Sequence, residues 1–311
     1  MSGFFGIDTS NYRTSAAVFD SETLVWHNSG RLLEVPEGRI GLRQSDALFQ
    51  HVLHLPERIA ELEPGFGRQI KAVAASTRPR AVEGSYMPCF LAGAGQAQSM
   101  AHALDIPFYA VSHQQGHLAA AALSAGALEL LRQPFLAWHL SGGTTELLHV
   151  RPVGRLFEAE IIGGTEDLAA GQLIDRAGRL LSLPFPAGAS LETLADACTA
   201  PEKPFQPKVT DAYFSLSGAQ NKIEQLHRKG AGRETVARYT MDIVSVAVMR
   251  ATEQAVQKTG LPVLCAGGVM SNRLLQQRMK DAFGAWFAEP MLSGDNAVGV
   301  AVLAAMLNGE L

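Results

Sequence analysis

The sequence predicts an α/β fold built from two related halves. Strand-like apolar runs alternate along most of the chain with segments that carry the apolar spacing of helices. Residues 4–19 have the pattern strand, Ser- and Thr-rich turn, strand, and residues 135–150 repeat this order around Ser-Gly-Gly-Thr-Thr. Two such units, each at the start of a half, indicate a duplicated architecture.

Composition and charge narrow the class of protein. The length of 311 residues fits one large domain or two medium domains, and 47% of the residues are hydrophobic. No apolar run is long enough to span a bilayer, and the N-terminus lacks the basic region of a secretory signal. Cys89, Cys198 and Cys265 lie far apart, which favours a reducing cytoplasm over a disulfide framework. The net charge of −4 argues against tight nucleic-acid binding by this chain alone.

The first half opens with a buried strand at residues 4–10, followed by strands at residues 14–19 and 24–27. Asp8 lies near the end of the first strand. An acidic residue at this point, before a Ser/Thr-rich turn, is how actin-like ATPases begin, with the turn binding phosphate and the carboxylate orienting a metal ion or water. An ordinary meander with Asp8 as a turn cap explains the same residues and is favoured when Asp8 is considered alone.

A helix at residues 45–62, a strand at 70–75 and a helix at 90–104 follow. The polar loop at residues 77–88 begins where the strand ends, which is where α/β sheets bind ligands. Its arginines, Arg78 and Arg80, either bind phosphate or carboxylate or are solvated loop charges, and the sequence weighs the two evenly.

A pair of histidines is the strongest local signal. A strand at residues 107–111 leads to Ser112, a suitable N-cap for an Ala- and Leu-rich helix extending through residues 118–131. His113 and His117 then lie one turn apart on one face, where both imidazoles reach one divalent metal, and Gly116 removes a side chain beside them. A half-buried polar face is the favoured explanation when the pair is considered alone, so a third ligand must decide.

The second half repeats the opening pattern. A strand at residues 135–140 runs into a turn with Gly142 and Gly143, where glycine lets an oxyanion approach backbone donors, although Gly-Gly hairpin turns are common. Three helices follow: one at residues 168–181, one that comes after the segment 214–219 and ends at His227, and one at 235–258. A strand at 261–266, a Gly-Gly turn and a helix at 273–283 then form a pattern typical of nucleotide contact. A short strand at 285–288 and a helix at 297–307 end the chain, with Asp295 as a possible N-cap.

Five blocks of residues, in order along the chain, together resemble the motifs of the tRNA threonylcarbamoyl-adenosine synthase family (TsaD/Kae/Gcp type, once mislabelled glycoprotease). The resemblance covers nearly the whole chain. The blocks are His-Gln-Gln-Gly-His at residues 113–117, Leu-Ser-Gly-Gly-Thr-Thr-Glu-Leu at 140–147, Tyr-Phe-Ser-Leu-Ser-Gly at 213–218, Ala-Gly-Gly-Val-Met-Ser-Asn-Arg at 266–273 and Gly-Asp-Asn at 294–296.

The resemblance implies an actin-like ATPase fold (ASKHA, ribonuclease H-like) with two duplicated lobes around a nucleotide cleft. Residues 1–132 plus 292–311 would form the N-terminal lobe and residues 133–291 the C-terminal lobe. It also implies one divalent metal, iron or zinc, bound by His113, His117 and Asp295. ATP or threonylcarbamoyl-adenylate would be the ligand, and Mg²⁺ could accompany it. The implied contacts are His139, Leu140, Ser141, Gly142, Gly143, Asp175, Gly188 and Asn272.

The activity implied by the resemblance is transfer of a threonylcarbamoyl group to the tRNA adenosine next to the anticodon, in the cytoplasm. Asp8 and Asp175 are the candidate catalytic residues, with no role assigned, and Asp175 facing a ribose could also accept from both hydroxyls. The tRNA would bind through partner proteins, and a smaller actin-like paralogue and an ATPase would be the protein partners.

Several residues depart from the family pattern. Asn11, Tyr12 and Arg13 follow the first strand where the family has Cys, Asp and Glu. Three further polar family residues are replaced by Gln115, Gln172 and Thr144. Lost carboxylates predict a more positive cleft, which would bind an anion more tightly and catalyse less. Two alternatives therefore remain open: a divergent paralogue with other carbamoyl or phosphoryl chemistry, and a non-catalytic scaffold of the tRNA-modification complex.

Overall fold

The computed structural model describes residues 2–10, 12–35, 42–62, 69–289, 292 and 296–311. The chain forms two units, each with its own hydrophobic core. Unit 1 comprises Met1–Gln133, Arg151–Ala159 and Met291–Leu311, and unit 2 comprises Pro134–Val150 and Glu160–Pro290. The lobe edges that we predict near residues 132 and 292 do not anticipate that Arg151–Ala159 belongs to unit 1.

The strands of the described residues form one sheet in each unit. Their bounds are β1 Gly3–Ser10, β2 Arg13–Asp20, β3 Trp26–Leu32, β4 Ile70–Arg78, β5 Phe108–Ser112, β6 Phe135–Leu140, β7 Thr145–Val153, β8 Leu156–Thr165, β9 Val209–Thr210, β10 Tyr213–Phe214, β11 Val263–Ala266 and β12 Trp286–Phe287.

The two sheets share one arrangement. In unit 1 the order is β3-β2-β1-β4-β5, and β1 pairs antiparallel with β2 and parallel with β4. In unit 2 the order is β12-β11-β6-β7-β8-β10-β9, and β6 pairs antiparallel with β7 and parallel with β11. The two predicted strand–turn–strand units are therefore present as β1–β2 and β6–β7, each beside a parallel strand.

Helices cover the sheets, and none of the described helices is long and apolar enough to cross a membrane. Their bounds are α1 Gln44–Ala60, α2 Phe90–Leu104, α3 His113–Ser124, α4 Ala170–Leu180, α5 Gly188–Asp196, α6 Ser217–Arg228, α7 Arg233–Thr259, α8 Arg273–Phe283 and α9 Ala297–Asn308, with short 3₁₀ helices at Leu128–Arg132 and Gly268–Ser271.

Small residues let the C-terminal helix α9 lie deep in unit 1. Every residue of α9 from Ala297 to Met306 is buried. A Cβ added at Gly6 would collide with the backbone of α9, and one added at Gly299 would collide with the backbone of Gly116 in α3. Helix α9 therefore contacts both β1 and α3 at backbone distance, which brings residues from the two ends of the chain together.

One predicted element differs from the structure, and two longer elements of the structure are not predicted. The predicted helix begins after its N-cap Ser112 as expected, but it ends at Ser124 as α3 and is followed by a separate 3₁₀ helix; Gly126, with φ +65°, separates the two. Strand β8, which begins with alternating polar and apolar residues, is not predicted. Helix α5 is not predicted because two prolines precede it, and the carboxylate that accepts from Ala187 N just before it, Asp175, comes from another helix.

Candidate functional site

The histidine pair lies at the start of α3, and a capping box sets that start. The Ser112 hydroxyl accepts from the backbone N–H of Gln115 at 3.2 Å, and Gln115 Oε1 accepts from the backbone N–H of Ser112 at 2.9 Å. Gln115 Nε2 also donates to the carbonyl of Phe157 at 2.6 Å. Gln115 is buried and both ends of its amide are bound, so it is a structural cap. This corrects the expectation that residue 115 lines a ligand cleft.

The two imidazoles face each other. His113 Nε2 and His117 Nε2 are 3.0 Å apart, and the rings are nearly perpendicular, at 77°. Two imidazole nitrogens bound to one tetrahedral Zn²⁺ at about 2.0–2.1 Å would be about 3.3 Å apart. The spacing of the pair therefore fits a shared divalent ion after a small opening, and imidazole nitrogen suits both zinc and iron.

Asp8 orients His113 by contacting the ring nitrogen that does not face His117. Its Oδ1 lies 2.9 Å from His113 Nδ1, and its side chain is 2% exposed. In the tautomer that satisfies this contact, Nδ1–H donates to the carboxylate and Nε2 keeps its lone pair toward His117. Such a carboxylate–histidine pair is the usual support of a metal-binding imidazole.

Charge coupling keeps Asp8 ionised. Burial alone would raise the pKa of Asp8, but the imidazole of His113, through its charge and its hydrogen bond, holds that pKa well below its usual range. Burial would likewise lower the pKa of His113, yet the Asp8 carboxylate raises it overall. A carboxylate held in this way is a weak proton acceptor, so its position favours an orienting role over that of a general base.

Asn296 completes this group of residues, and we do not predict it from the sequence. Its Nδ2 donates to Asp8 Oδ1 at 3.1 Å and to the His113 carbonyl at 2.9 Å. A Cβ added at Gly116 would lie 2.5–2.8 Å from the Asn296 amide, so Gly116 makes room for this amide. Asn296 is 2% exposed, and its Oδ1 finds no hydrogen-bond partner among the described residues. Its one sequence signal is its place in the Gly-Asp-Asn block.

The third predicted metal ligand, Asp295, lies outside the described residues. Within the residues that are described, no group of three or more His, Cys, Asp and Glu side chains is placed to hold a metal ion. The structure brings His113 and His117 together and places Asp8 in contact with His113.

Unit 2 carries a pocket of about 320 Å³ next to the Gly-Gly turn after β6. Four predicted nucleotide contacts line it: Gly142, Asp175, Gly188 and Asn272. The other four, His139, Leu140, Ser141 and Gly143, lie on β6 and its turn and are not among the described lining residues. The remaining lining residues are Gly171, Ile174, Pro186, Ala189, Glu192, Met241, Gly268, Val269 and Ser271.

Close backbone contacts shape this pocket. Ser141 N donates to the Thr144 carbonyl at 2.9 Å and closes the turn after β6. A Cβ added at Gly171 would collide with Ser141 O, so the first turn of α4 lies directly against this turn. Gly267 has φ +97° and no room for a side chain beside the Leu140 carbonyl, which holds the 3₁₀ helix at Gly268–Ser271 against β6.

The polar groups of the pocket accept from backbone N–H groups at the starts of helices. Asp175 Oδ1 accepts from Ala187 N at 2.9 Å, before α5, and Asn272 Oδ1 accepts from Leu275 N at 2.9 Å, as the N-cap of α8. Glu192 on α5 accepts from Arg273 N at 2.8 Å. We do not predict Glu192 as a site residue, because α5 is not predicted. Asp175 and Glu192 thus present two carboxylates to one pocket.

Comparison with solved structures identifies the class of fold. The chain is similar to full-length HypF in its phosphate- and nucleotide-bound form, with a TM-score of 0.60 at 14% identity, covering 98% of this chain and 55% of HypF. It is also similar to component A of (R)-2-hydroxyglutaryl-CoA dehydratase from Acidaminococcus fermentans, with a TM-score of 0.54 at 13% identity, covering 99% and 100%. The chain has the actin-like ATPase fold that these proteins share.

Sequence comparison identifies the family. Residues 55–302 match the family TsaD, tRNA N6-adenosine threonylcarbamoyltransferase. A relative of that name from Thermus thermophilus is 35% identical over 305 residues, which cover 96% of this chain and 91% of the relative. Another from Legionella pneumophila is 29% identical over 325 residues, covering 98% and 94%. This chain belongs to the TsaD family, which confirms the predicted resemblance.

Proposed function

We propose that this chain transfers a threonylcarbamoyl group from threonylcarbamoyl-adenylate to the N6 amino group of the tRNA adenosine next to the anticodon. The observation that carries the proposal is the unit 2 pocket, where Gly142, Asp175, Gly188 and Asn272 converge in a chain that belongs to this family.

The adenylate occupies the unit 2 pocket in this proposal. The volume of about 320 Å³ is within the range of small-molecule sites. Ile174, Met241 and Val269 give the pocket apolar walls for an adenine ring, whereas Asp175 and Glu192 are placed to accept from ribose hydroxyls. The N-termini of α5 and α8 add backbone N–H groups and positive dipole ends, which favour the phosphate.

One divalent ion, iron or zinc, is proposed at His113 and His117, with Asp295 as the third ligand. Two imidazoles and one carboxylate would leave coordination positions open for oxygen ligands. When bound, the ion would supply Lewis-acid stabilisation of negative charge on phosphate or carbamoyl oxygens. Asp8 and Asn296 would keep the His113 ring in the orientation that leaves Nε2 available.

The proposed transfer forms a bond between the adenosine N6 and the carbamoyl carbon and breaks the bond between that carbon and the phosphate oxygen. AMP leaves with the electron pair, and the N6 proton goes to solvent. Asp8 is poorly suited to take that proton, since His113 and Asn296 already hold its Oδ1 and its pKa is low. The residues of this chain would therefore act by binding and orienting the reactants.

Partner proteins complete the proposed assembly. A chain of net charge −4 gains little general attraction to tRNA, so tRNA would bind together with partners. Phe49, Val52 and Leu53 lie on one face of α1 and are each more than half exposed. This apolar face supports a protein partner on unit 1, which we propose to be the smaller actin-like paralogue, with an ATPase as a further member.

A transfer assay tests the function. The full chain, with the partner proteins of the same source, is incubated with unmodified tRNA and synthetic threonylcarbamoyl-adenylate, and the nucleosides are analysed by mass spectrometry. We expect threonylcarbamoyl-adenosine to form and Asp175→Ala to abolish it. Nucleotide binding without any transfer would favour the non-catalytic scaffold, and a different carbamoylated or phosphorylated product would favour the divergent paralogue.

A further inference from the structure

A second hollow of about 270 Å³ lies beside the nucleotide pocket of unit 2. Its lining residues are Asp175, Arg176, Arg179, Leu183, Pro184, Phe185 and Ala187. Asp175 lines both the hollow and the nucleotide pocket, so the two share one wall. Nothing in the family motifs or in the nucleotide pocket uses the arginines or Phe185.

Phe185 is the most exposed large apolar side chain of the described residues, at 83%. It lies in the loop between α4 and α5, between Pro184 and Pro186. Because most of its surface faces solvent, the ring contributes little to the core of unit 2. The prolines on both sides restrict the backbone that carries it, which favours a ring presented at a fixed place.

Two guanidinium groups accompany the ring. Arg176 and Arg179 lie one turn apart on α4 and are both exposed. Arg176 Nη1 donates to Gln220 Oε1 at 2.6 Å, and within the described residues neither arginine forms a salt bridge. The carboxylates nearby are Asp175, which accepts from Ala187 N, and Glu224, which accepts from Gln220 Nε2. The guanidiniums therefore retain N–H donors for an anionic ligand.

We propose that Phe185, Arg176 and Arg179 bind the RNA substrate beside the nucleotide pocket. A base of a single-stranded RNA segment stacks on Phe185, and its neighbouring phosphates contact the two arginines. An exposed ring with adjacent guanidiniums is the chemistry that single-stranded RNA needs, since unstacked bases offer flat faces and phosphates accept from arginine. The inference rests on the proposed function, because it takes the RNA to be the tRNA that receives the transferred group.

The first test measures RNA binding with the ring altered. An unmodified anticodon stem–loop RNA is titrated with the full chain and its partner proteins, using fluorescence anisotropy. We expect Phe185→Ala to weaken binding by about fivefold to a hundredfold, the range of a lost base–aromatic stack. Phe185→Tyr keeps the ring and should bind like the unchanged protein. Tyr86→Ala removes an exposed ring from unit 1 and serves as the matched control.

The second test measures the contribution of the arginines from the salt dependence of RNA binding. With Arg176→Gln and Arg179→Gln combined, the negative slope of the logarithm of affinity against the logarithm of salt concentration should decrease in magnitude by roughly 1.4, the value for two lost phosphate contacts to a single strand. Affinity for ADP should stay unchanged in the ring and arginine variants, because the nucleotide pocket keeps its walls. An unchanged slope would remove the arginines from the site.

The outcomes separate this inference from the proposed function. If the unchanged protein transfers the group and Phe185→Ala binds RNA equally well, the inference is wrong and the function stands. If no transfer occurs but the ring and arginine variants weaken RNA binding, the RNA site stands and the function is wrong. If Phe185→Ala weakens assembly with a partner protein and leaves RNA binding intact, the ring is a protein contact and the inference is overturned.

Discussion

The two candidate sites differ in how they are built. The histidine site of unit 1 joins Asp8, His113 and Asn296, which are far apart in the chain, in a buried network of side-chain hydrogen bonds. The pocket of unit 2 is open and is formed by turns and helix starts, with its carboxylates capping backbone groups. Substitutions in the first site should therefore cost stability as well as binding, whereas substitutions in the second should mainly cost binding.

The largest loss of stability is expected from Asp8→Ala in the histidine site. This change leaves His113 Nδ1 and Asn296 Nδ2 without their shared carboxylate in a buried place. Removing one partner of a buried pair typically costs about 3–5 kcal/mol in the free energy of unfolding. The midpoint of urea unfolding, followed in unit 1, measures the loss. A loss below about 1 kcal/mol would mean that the network does not stabilise unit 1.

A fall to mildly acidic pH should destabilise unit 1 more than unit 2. His51 is buried in unit 1 against Thr14, and burial lowers its pKa to about 4. Since the unfolded histidine has a pKa of about 6.5, the unfolded state binds more protons between these values. The stability of unit 1 should thus fall by on the order of 3 kcal/mol as the pH falls from about 6.5 to 4. The depressed pKa of Asp8 adds a loss only at lower pH.

Hydrogen exchange of the backbone amides measures this acid effect in each unit. Protection of β1 and β2 reports on unit 1, and protection of β6 and β7 reports on unit 2. In His51→Gln, the decrease in protection of unit 1 over the same pH window should become smaller. A decrease of equal size in the variant would assign the acid sensitivity to other groups.

The next largest effect on stability is expected from a matched pair of glycine substitutions. Gly116→Ala places a methyl group against the Asn296 amide and should destabilise the chain by about 1–3 kcal/mol. Gly188→Ala adds the same methyl group in the pocket of unit 2, where no atom lies within 4 Å, and should leave stability nearly unchanged. Thermal unfolding of the two variants compares them directly, and equal losses would contradict the proposed difference between the sites.

Asp175→Asn should give the smallest loss of stability and a clear loss of binding. The amide oxygen can still accept from Ala187 N, so the hydrogen bond before α5 is kept. The lost charge weakens acceptance from ribose hydroxyls, for which we expect a roughly tenfold loss of nucleotide affinity, about 1.4 kcal/mol. Calorimetric titration with ADP measures it. Unchanged affinity would remove Asp175 from the ribose contact.

The sequence predicts those parts of the sites that neighbouring residues determine. Ser112 as an N-cap and the spacing of His113 and His117 follow from one stretch of helix, and the structure confirms both the cap and the helical spacing. The nucleotide residues follow from family motifs, and half of them line one pocket. Their roles stay predictions.

The parts that the sequence does not predict depend on contacts between distant residues. Asn296 enters the histidine site because α9 packs on α3 through Gly116 and Gly299. Glu192 lies on α5, and Asp175 from another helix accepts from Ala187 N just before that helix. Gln115 resembles a lost acid in the sequence, yet its bond to the Phe157 carbonyl makes the amide the better residue there, since a carboxylate cannot donate.

The most direct test of the account is the metal content of the purified full chain and its His117→Ala variant, measured by inductively coupled plasma mass spectrometry. We predict one iron or zinc ion per unchanged chain and none in the variant. A His117→Ala protein that keeps its metal would show that the two imidazoles do not hold it and would contradict the proposed centre.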